Sequence, residues 1–319
     1  MSRYEDGTDT ATDHGTRAGT RAGTREGTHG GKCGATHEGT HEEAPGGDAR
    51  FEAFRALHHG ERPLLLPNAW DHASAAALHR RGFPAIGTTS LGVAAAAGLP
   101  DGTGDTREET LALGRGLARL PVPVSVDIED GFSDDPAEVG ALGAELARAG
   151  VTGVNIEDGR ADGVLTDPGL HRAKIAALKE AAPGRLFVNA RTDTHWLGTD
   201  ATVTAALRRC TAYAEAGADC VFVPGLVDGA EIAALADGLG PTPLNVLYSP
   251  AHLSRDELAE RGAARISLGS LLFRAALQRA VDLACSIAEP SGHPAAPSPV
   301  PGYGEVQGLH GEFGHSAGV

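Results

Sequence analysis

The chain is short of basic charge, paired cysteines and long apolar runs. Lys and Arg total 27 against 42 Asp and Glu, a formal net charge of −15. That balance argues against nucleic acid or an anionic membrane as a partner and is what a soluble acidic protein needs. The four cysteines (Cys33, Cys210, Cys220, Cys285) are scattered and form no C-x-x-C, so neither a zinc cluster nor a disulfide framework is indicated. Cys210, Cys220 and Cys285 sit in apolar surroundings and read as packing residues. No stretch of about 18 uncharged apolar residues occurs, so no membrane-spanning helix is expected. "MSRYEDGTDT" has no apolar signal-peptide core, and a cytoplasmic protein is expected. The glycines of "GTGDT" and "GRADG" fit neither G-x-G-x-x-G nor G-x-x-x-x-G-K-[ST], so no nucleotide cradle is indicated.

The two ends differ from the middle. Residues 1–50 repeat G-T-x-x with almost no apolar side chain, as in "HGTRAGTRAGTREGTHGG". Such a segment cannot offset its ordering entropy by burial and is expected to be a disordered tail. Its histidines His14, His29, His37 and His41 could chelate a metal, but a solvated low-complexity tail is the favoured reading. Residues 289–319, rich in Pro and Gly, read as a second flexible tail. The folded unit is expected at 51–288.

Inside that unit eight apolar runs alternate with Ala/Leu/Arg/Glu stretches of helical character. The runs are "PLLLPN" (63–68), "PAIGTT" (84–89), "PVSVDIE" (123–129), "GVNIED" (153–158), "LFVNAR" (186–191), "CVFVPG" (220–225), "PLNVLY" (243–248) and "RISLG" (265–269). Several intervening stretches open on Asp, Thr or Ser and close on Gly, as helix caps require. Eight strand–helix units of this length predict a (β/α)8 TIM barrel; a doubly wound open sheet rarely needs eight uninterrupted repeats.

In such a barrel the site lies where the strands end. There the sequence places Asn68, Trp70 and Asp71 after the first run, Thr89 and Ser90 after the second, and Asp127, Glu129 and Asp130 after the third. Glu157 and Asp158 end the fourth run, Arg191 and Asp193 the fifth, and Asn245 lies within the seventh as a candidate substrate contact. Acids ending two neighbouring strands repel one another unless a cation lies between them. Mg2+, which takes a few carboxylates and keeps waters and substrate in its other positions, suits them. The plainer alternative is that these acids cap helices or pair with arginines.

Four ordered stretches, "LLLPNAWDHASAAALHRRGFPAIGTTSLGVAAAAGLPDG", "VSVDIEDGF", "GVNIEDG" and "FVNARTD", resemble the isocitrate lyase/phosphoenolpyruvate mutase superfamily, and more closely its short, mutase-like bacterial members. The resemblance covers about residues 60–275. It implies a Mg2+-dependent, homo-oligomeric (β/α)8 enzyme that breaks or forms C–C or C–P bonds of small 2-oxo or 2-hydroxy acids through an enolate-like intermediate. It implies that Asp127 and Glu157 bind the metal, and that Glu129 does so through a water because it is a methylene longer than the family's Asp. It further implies that Asp101 of "GLPDG" stands near the metal, and that Ser90 and Arg191 hold the substrate carboxylate.

The chain also departs from that family. Its isocitrate and methylisocitrate lyases carry a Lys-Lys/Arg-Cys-Gly-His motif after the fourth strand, whereas the loop here, "EDGRADGVLTDPGL" (157–170), has no cysteine. "KCG" at 32–34 lies upstream of the first run and reads as coincidence. The lysine and asparagine of the mutases are also missing; Arg160 alone stands there, between glycines (Gly159, Gly163, Gly169) that could let the loop close over substrate. The expectation is therefore an oxaloacetate decarboxylase or related C–C hydrolase. The alternatives are a phosphonopyruvate/phosphoenolpyruvate mutase or hydrolase, and a non-catalytic barrel that binds a carboxylate metabolite.

Overall fold

A computed structural model describes residues 47–289 and 300–314. The four tail histidines and Cys33 lie outside the described residues. Nine parallel strands form one sheet in the order β1-β9-β8-β7-β6-β5-β4-β3-β2. They are β1 (Leu64–Leu66), β2 (Asn68–Ala69), β3 (Ile86–Thr88), β4 (Val124–Asp127), β5 (Gly153–Glu157), β6 (Phe187–Arg191), β7 (Cys220–Phe222), β8 (Leu244–Leu247) and β9 (Ala263–Ser267). Pro67, which has no N–H to give a ladder, splits the first run into β1 and β2. Because β1 pairs with β9 and β2 with β3, those two pieces act as one strand that joins the two ends of the sheet. The eight expected runs thus form a nearly closed (β/α)8-type barrel.

The helices are α1 (Gly47–Leu57), α2 (His72–Arg80), α3 (Ser90–Ala97), α4 (Arg107–Leu117), α5 (Pro136–Arg148), α6 (Pro168–Ala181), α7 (Val203–Glu215), α8 (Gly229–Leu239), α9 (Arg255–Glu260), α10 (Leu271–Ala288) and α11 (Tyr303–Gln307). Asp71, Asp135, Asp167, Thr202, Asp228 and Ser254 each accept from a first-turn N–H, whereas Thr106 and Ser270 make no side-chain cap bond. Such caps satisfy donors that have no intrahelical acceptor. No described helix is long and apolar enough to cross a membrane.

Regular structure extends past both ends of the expected 51–288 unit. Helix α1 begins at Gly47 and drives Phe51 and Phe54 against Phe187 at the start of β6, with ring centroids 6.4 and 5.0 Å apart. His58 stacks on the same ring at 4.3 Å, and burial lowers its pKa to about 3. At the other end, α11 and a 3-10 turn (Gly308–Phe313) fold against α2 although their segment is Pro/Gly-rich. Phe313 is buried there, and its carbonyl accepts from the Arg119 guanidinium at 2.9 and 3.1 Å. One buried aromatic with its backbone bonds holds a stretch whose composition alone suggests looseness.

Candidate active site

Side chains alternate along each strand, so residues two apart share a face. Ser125–Asp127, Asn155–Glu157, Asn189–Arg191, Asn245–Leu247 and Arg265–Ser267 are such pairs on β4, β5, β6, β8 and β9. The second member of each stands at or near the C-terminal rim, and the first lies a layer deeper. The rim residues Asp127, Glu157, Arg191, Leu247 and Ser267 line a cavity of about 260 Å³ together with Asn68, Thr89, Ser90, Asp101, Arg160, Asp193 and Trp196.

Arg191 is its electrostatic centre. Its Nη1 lies 2.6 Å from Glu157 Oε2, and its Nε donates to Asp193 Oδ1 at 2.6 Å. Trp196 and Phe222 stack near the guanidinium, with ring centroids 5.9 and 5.8 Å from Cζ. Burial alone would lower its pKa, but Glu157, Asp193 and Asp127 hold it above the ordinary arginine value. Asp193 is set by its own N–H, which donates to Asp158 Oδ1 at 2.8 Å. Asp158 in turn accepts from Tyr213 (2.6 Å) and Arg209 (3.0 Å), so this acid anchors a buried network instead of facing the cavity. Gly159 is required above it: a Cβ there would fall 2.2 Å from Asp193 Oδ2.

Burial is the main force on the acids. It raises Asp127, which Arg191 opposes and Asp101 reinforces, and it raises Glu157 well above the carboxylate range, with Asp193, Asp127 and Asp101 adding like-charge repulsion. The Ser90 N–H faces Asp127 Oδ2 at 3.4 Å, and Thr88 Oγ1 accepts from the Asp127 N–H at 2.8 Å. Thr89, the N-cap of α3, makes no side-chain cap, so the first N–H groups of that helix are left directed at the cavity end of the barrel.

Two expected site residues stand elsewhere. Glu129, at φ 50°, does not line the cavity: one carboxylate oxygen accepts from the Gly104 N–H at 3.0 Å and the other from the Thr106 hydroxyl. Its left-handed backbone and extra methylene turn the carboxylate onto the loop that carries Asp101. Asn245 is fully buried and accepts from the Ser267 hydroxyl at 3.1 Å. It is the deeper member of its pair, so β8 presents Leu247 at the rim. Asp71 caps α2, Trp70 packs on Phe273 at 5.5 Å, and Asp130 accepts from the Phe132 N–H at 3.0 Å. Asn68 ties the barrel seam, donating to Thr88 O (2.7 Å) and accepting from the Leu268 and Gly269 N–H groups (3.0 and 2.9 Å).

Several functional neighbours escaped the sequence reading. Fully buried Arg265 donates to Asn155 Oδ1 and Ser267 Oγ, both at 3.1 Å, and thereby fixes two cavity residues; burial lowers its pKa to about 10. The available signal was polar residues at alternate positions of runs otherwise apolar.

Among the described residues no three acid, His or Cys side chains are grouped closely enough to ligate a metal by themselves. The donor set nonetheless fits a hydrated Mg2+. Hard carboxylate oxygens of Asp127 and Glu157 share one cavity with Asp101 and resist ionisation there, a condition that a divalent cation would relieve.

An acid-rimmed pocket with a buried arginine at the C-terminal end of the strands stands where (β/α)8 enzymes carry their active sites. The family model for phosphoenolpyruvate phosphomutase matches residues 54–288, and the chain belongs to that family. An uncharacterized Mycobacterium tuberculosis protein, Rv1998c, is 44% identical over 237 residues, covering 74% of this chain and 89% of its own. The 2-methylisocitrate lyase of Bacillus subtilis is 34% identical over 202 residues, 60% of this chain and 64% of that one. A solved candidate phosphonomutase from Burkholderia cenocepacia J2315 superposes with a TM-score of 0.70 at 37% identity, covering 74% of this chain and 99% of that one. The chain is thus an enzyme of the lyase or phosphonomutase type, and the superfamily is generally Mg2+-dependent.

Proposed function

We propose that this enzyme, with Mg2+, cleaves the bond beyond C3 of a small 2-oxo acid, and that oxaloacetate decarboxylation is the reaction its site suits best. The observation that carries this reading is the gathering of Asp101, Asp127, Glu157 and Arg191 around one small cavity beside a loop that contains no cysteine. Asp127 and Glu157 would hold the ion, partly through waters, and Asp101 would stand by it. When bound, the ion would supply Lewis-acid stabilisation of negative charge developing on the keto oxygen.

The remaining work belongs to the chain. Two of the five N–H donors of Arg191 are engaged by Glu157 and Asp193, which leaves others for the substrate C1 carboxylate. The start of α3, where Thr89 makes no side-chain cap and the Ser90 N–H faces Asp127, adds positive potential. Leu91, Leu197, Phe222 and Leu247 restrict water around the reacting carbons. The C3–C4 bond breaks, its electron pair passes through C3 towards the keto oxygen, and CO2 leaves without needing a proton. Water at the cavity mouth then protonates C3 to give pyruvate. Isocitrate-type cleavage instead needs an acid poised on the departing carbanion, and residues 157–170 offer no thiol for it.

A substrate panel tests the choice. Pyruvate should form from oxaloacetate faster than with Mg2+ alone, with no glyoxylate from isocitrate and no pyruvate from methylisocitrate. Cleavage of either tricarboxylate would contradict the decarboxylase reading. The family match supports a second reading, and conversion of phosphonopyruvate to phosphoenolpyruvate, or its hydrolysis, would put that one in place.

A further inference from the structure

Two arginines line the cavity, and they are held very differently. Arg191 is enclosed by the buried acids Glu157 and Asp193, so its charge is already balanced. Arg160 comes from the 157–170 loop, where its N–H donates to Val164 O (3.0 Å) and its carbonyl accepts from Gly163 (2.9 Å), making a tight turn closed by a bridge between Gly159 and Leu165. Its guanidinium forks onto Asp134, Nη1 to Oδ1 at 2.8 Å and Nη2 to Oδ2 at 3.1 Å. This pair is 36% exposed on the arginine and 54% on the aspartate. Ion pairs in such surroundings contribute little to stability.

The exchange of Arg160 away from Asp134 is also cheap for the acid left behind. Lys174, whose side chain is 0% exposed, reaches Asp134 Oδ1 at 3.4 Å and donates to Asp130 O at 2.9 Å. Asp134 therefore keeps a buried cationic partner when Arg160 leaves. Among the described cavity residues, Arg160 is the cation whose acid is already shared with a second cation and whose partner faces water.

We propose that Arg160 binds the anionic group at the far end of the substrate, selecting 2-oxo acids with a second carboxylate or phosphonate over 2-oxo monocarboxylates. The inference rests on the 2-oxo acid reading above and deepens it. Arg191 and the start of α3 take the C1 end, and Arg160, on the 157–170 loop that lines the same cavity, takes the distal charge. For a decarboxylation this contact belongs to the ground state, because the leaving carboxylate must give up its charge as CO2 forms. Removing it should raise KM and leave kcat unchanged or higher.

The test compares oxaloacetate (KM), phosphonopyruvate and the monocarboxylate 2-oxobutanoate (Kd from tryptophan fluorescence, since Trp196 lines the cavity) at saturating Mg2+. In the wild type the doubly anionic ligands should bind roughly tenfold or more tightly than 2-oxobutanoate, as a charge-assisted hydrogen bond allows. Arg160→Gln should erase that preference without weakening 2-oxobutanoate. Asp134→Asn, which frees Arg160 from its competitor, should keep or sharpen it. An Arg160→Gln enzyme that still decarboxylates oxaloacetate with wild-type KM overturns the inference and leaves the proposed function standing. A wild type that binds none of the three ligands removes the proposed function and the inference with it. Turnover of phosphonopyruvate in place of oxaloacetate, with the same loss in Arg160→Gln, supports Arg160 and identifies the distal group as the phosphonate.

Discussion

Arg191 contributes to the site in three ways: it balances Glu157, fixes Asp193 and leaves donors for substrate. Lysine has no planar fork to do this. Arg191→Lys is therefore expected to lower kcat/KM for oxaloacetate by about tenfold or more while circular dichroism stays native. Asp127→Ala and Glu157→Ala should abolish Mg2+-dependent turnover with the barrel still folded, because both acids end strands at the rim and do not fill the core. Retained activity in either variant would remove that acid from the metal site. Burial and like charges raise both acids in the folded state, so folding favours their protonated forms. This contribution to stability is full below the ordinary carboxylate range and is lost as pH rises through the raised values. In chelator, the melting temperature of the wild type should fall over that rise relative to Asp127→Asn, and Mg2+ should narrow the gap. At this scale Asp127, Glu157 and Arg191 were legible because two acids and an arginine ended consecutive apolar runs. Glu129 and Asn245 were misplaced because run position says nothing of backbone handedness or of depth in the barrel.

Elements position these residues through a few specific contacts. The loop between α3 and α4 that bears Asp101 is pinned to the end of β4 by Glu129 through Gly104 and Thr106. Glu129→Ala leaves those donors without an acceptor, one of them fully buried, and should loosen the loop. A loss in kcat larger than the loss in thermal stability is the expected outcome, read from paired steady-state and melting measurements. Helix α1 acts at the opposite end: Phe54 is fully buried against Phe187, so Phe54→Ala should cost about 3–5 kcal/mol by chemical denaturation. The main helices could be read from their Asp, Thr and Ser caps. Helix α3, "SLGVAAAA", could not, because it is apolar throughout and its cap residue makes no side-chain bond. The same silence hid α11 and the 3-10 turn after it, which are held by Phe313 and by backbone carbonyls that accept from Arg80 of α2 and from Arg119.

At the scale of the whole molecule, the alternation of eight runs with helical stretches was enough to specify the barrel, because parallel strands need helical crossovers and only closure covers both edges. The site was legible only as a region; its wiring depends on distances between strands far apart in sequence. Helix α10 buries none of its 18 residues and leaves Leu277, Val281 and Ile287 exposed. Apolar surface of this kind favours association, so sedimentation should give a mass above the 32.6 kDa chain and Val281→Asp should lower it. The central claim is that Asp127, Glu157 and Arg191 form one Mg2+-dependent site for a 2-oxo acid. It is tested most directly by pyruvate release from oxaloacetate in the presence of Mg2+, corrected for the rate with Mg2+ alone, for the wild type, Asp127→Ala and Arg191→Ala. The account predicts a clear excess rate in the wild type, abolished by chelator and by Asp127→Ala and largely lost in Arg191→Ala. A wild-type rate equal to that of Mg2+ alone, or an excess that survives in both variants, would contradict it.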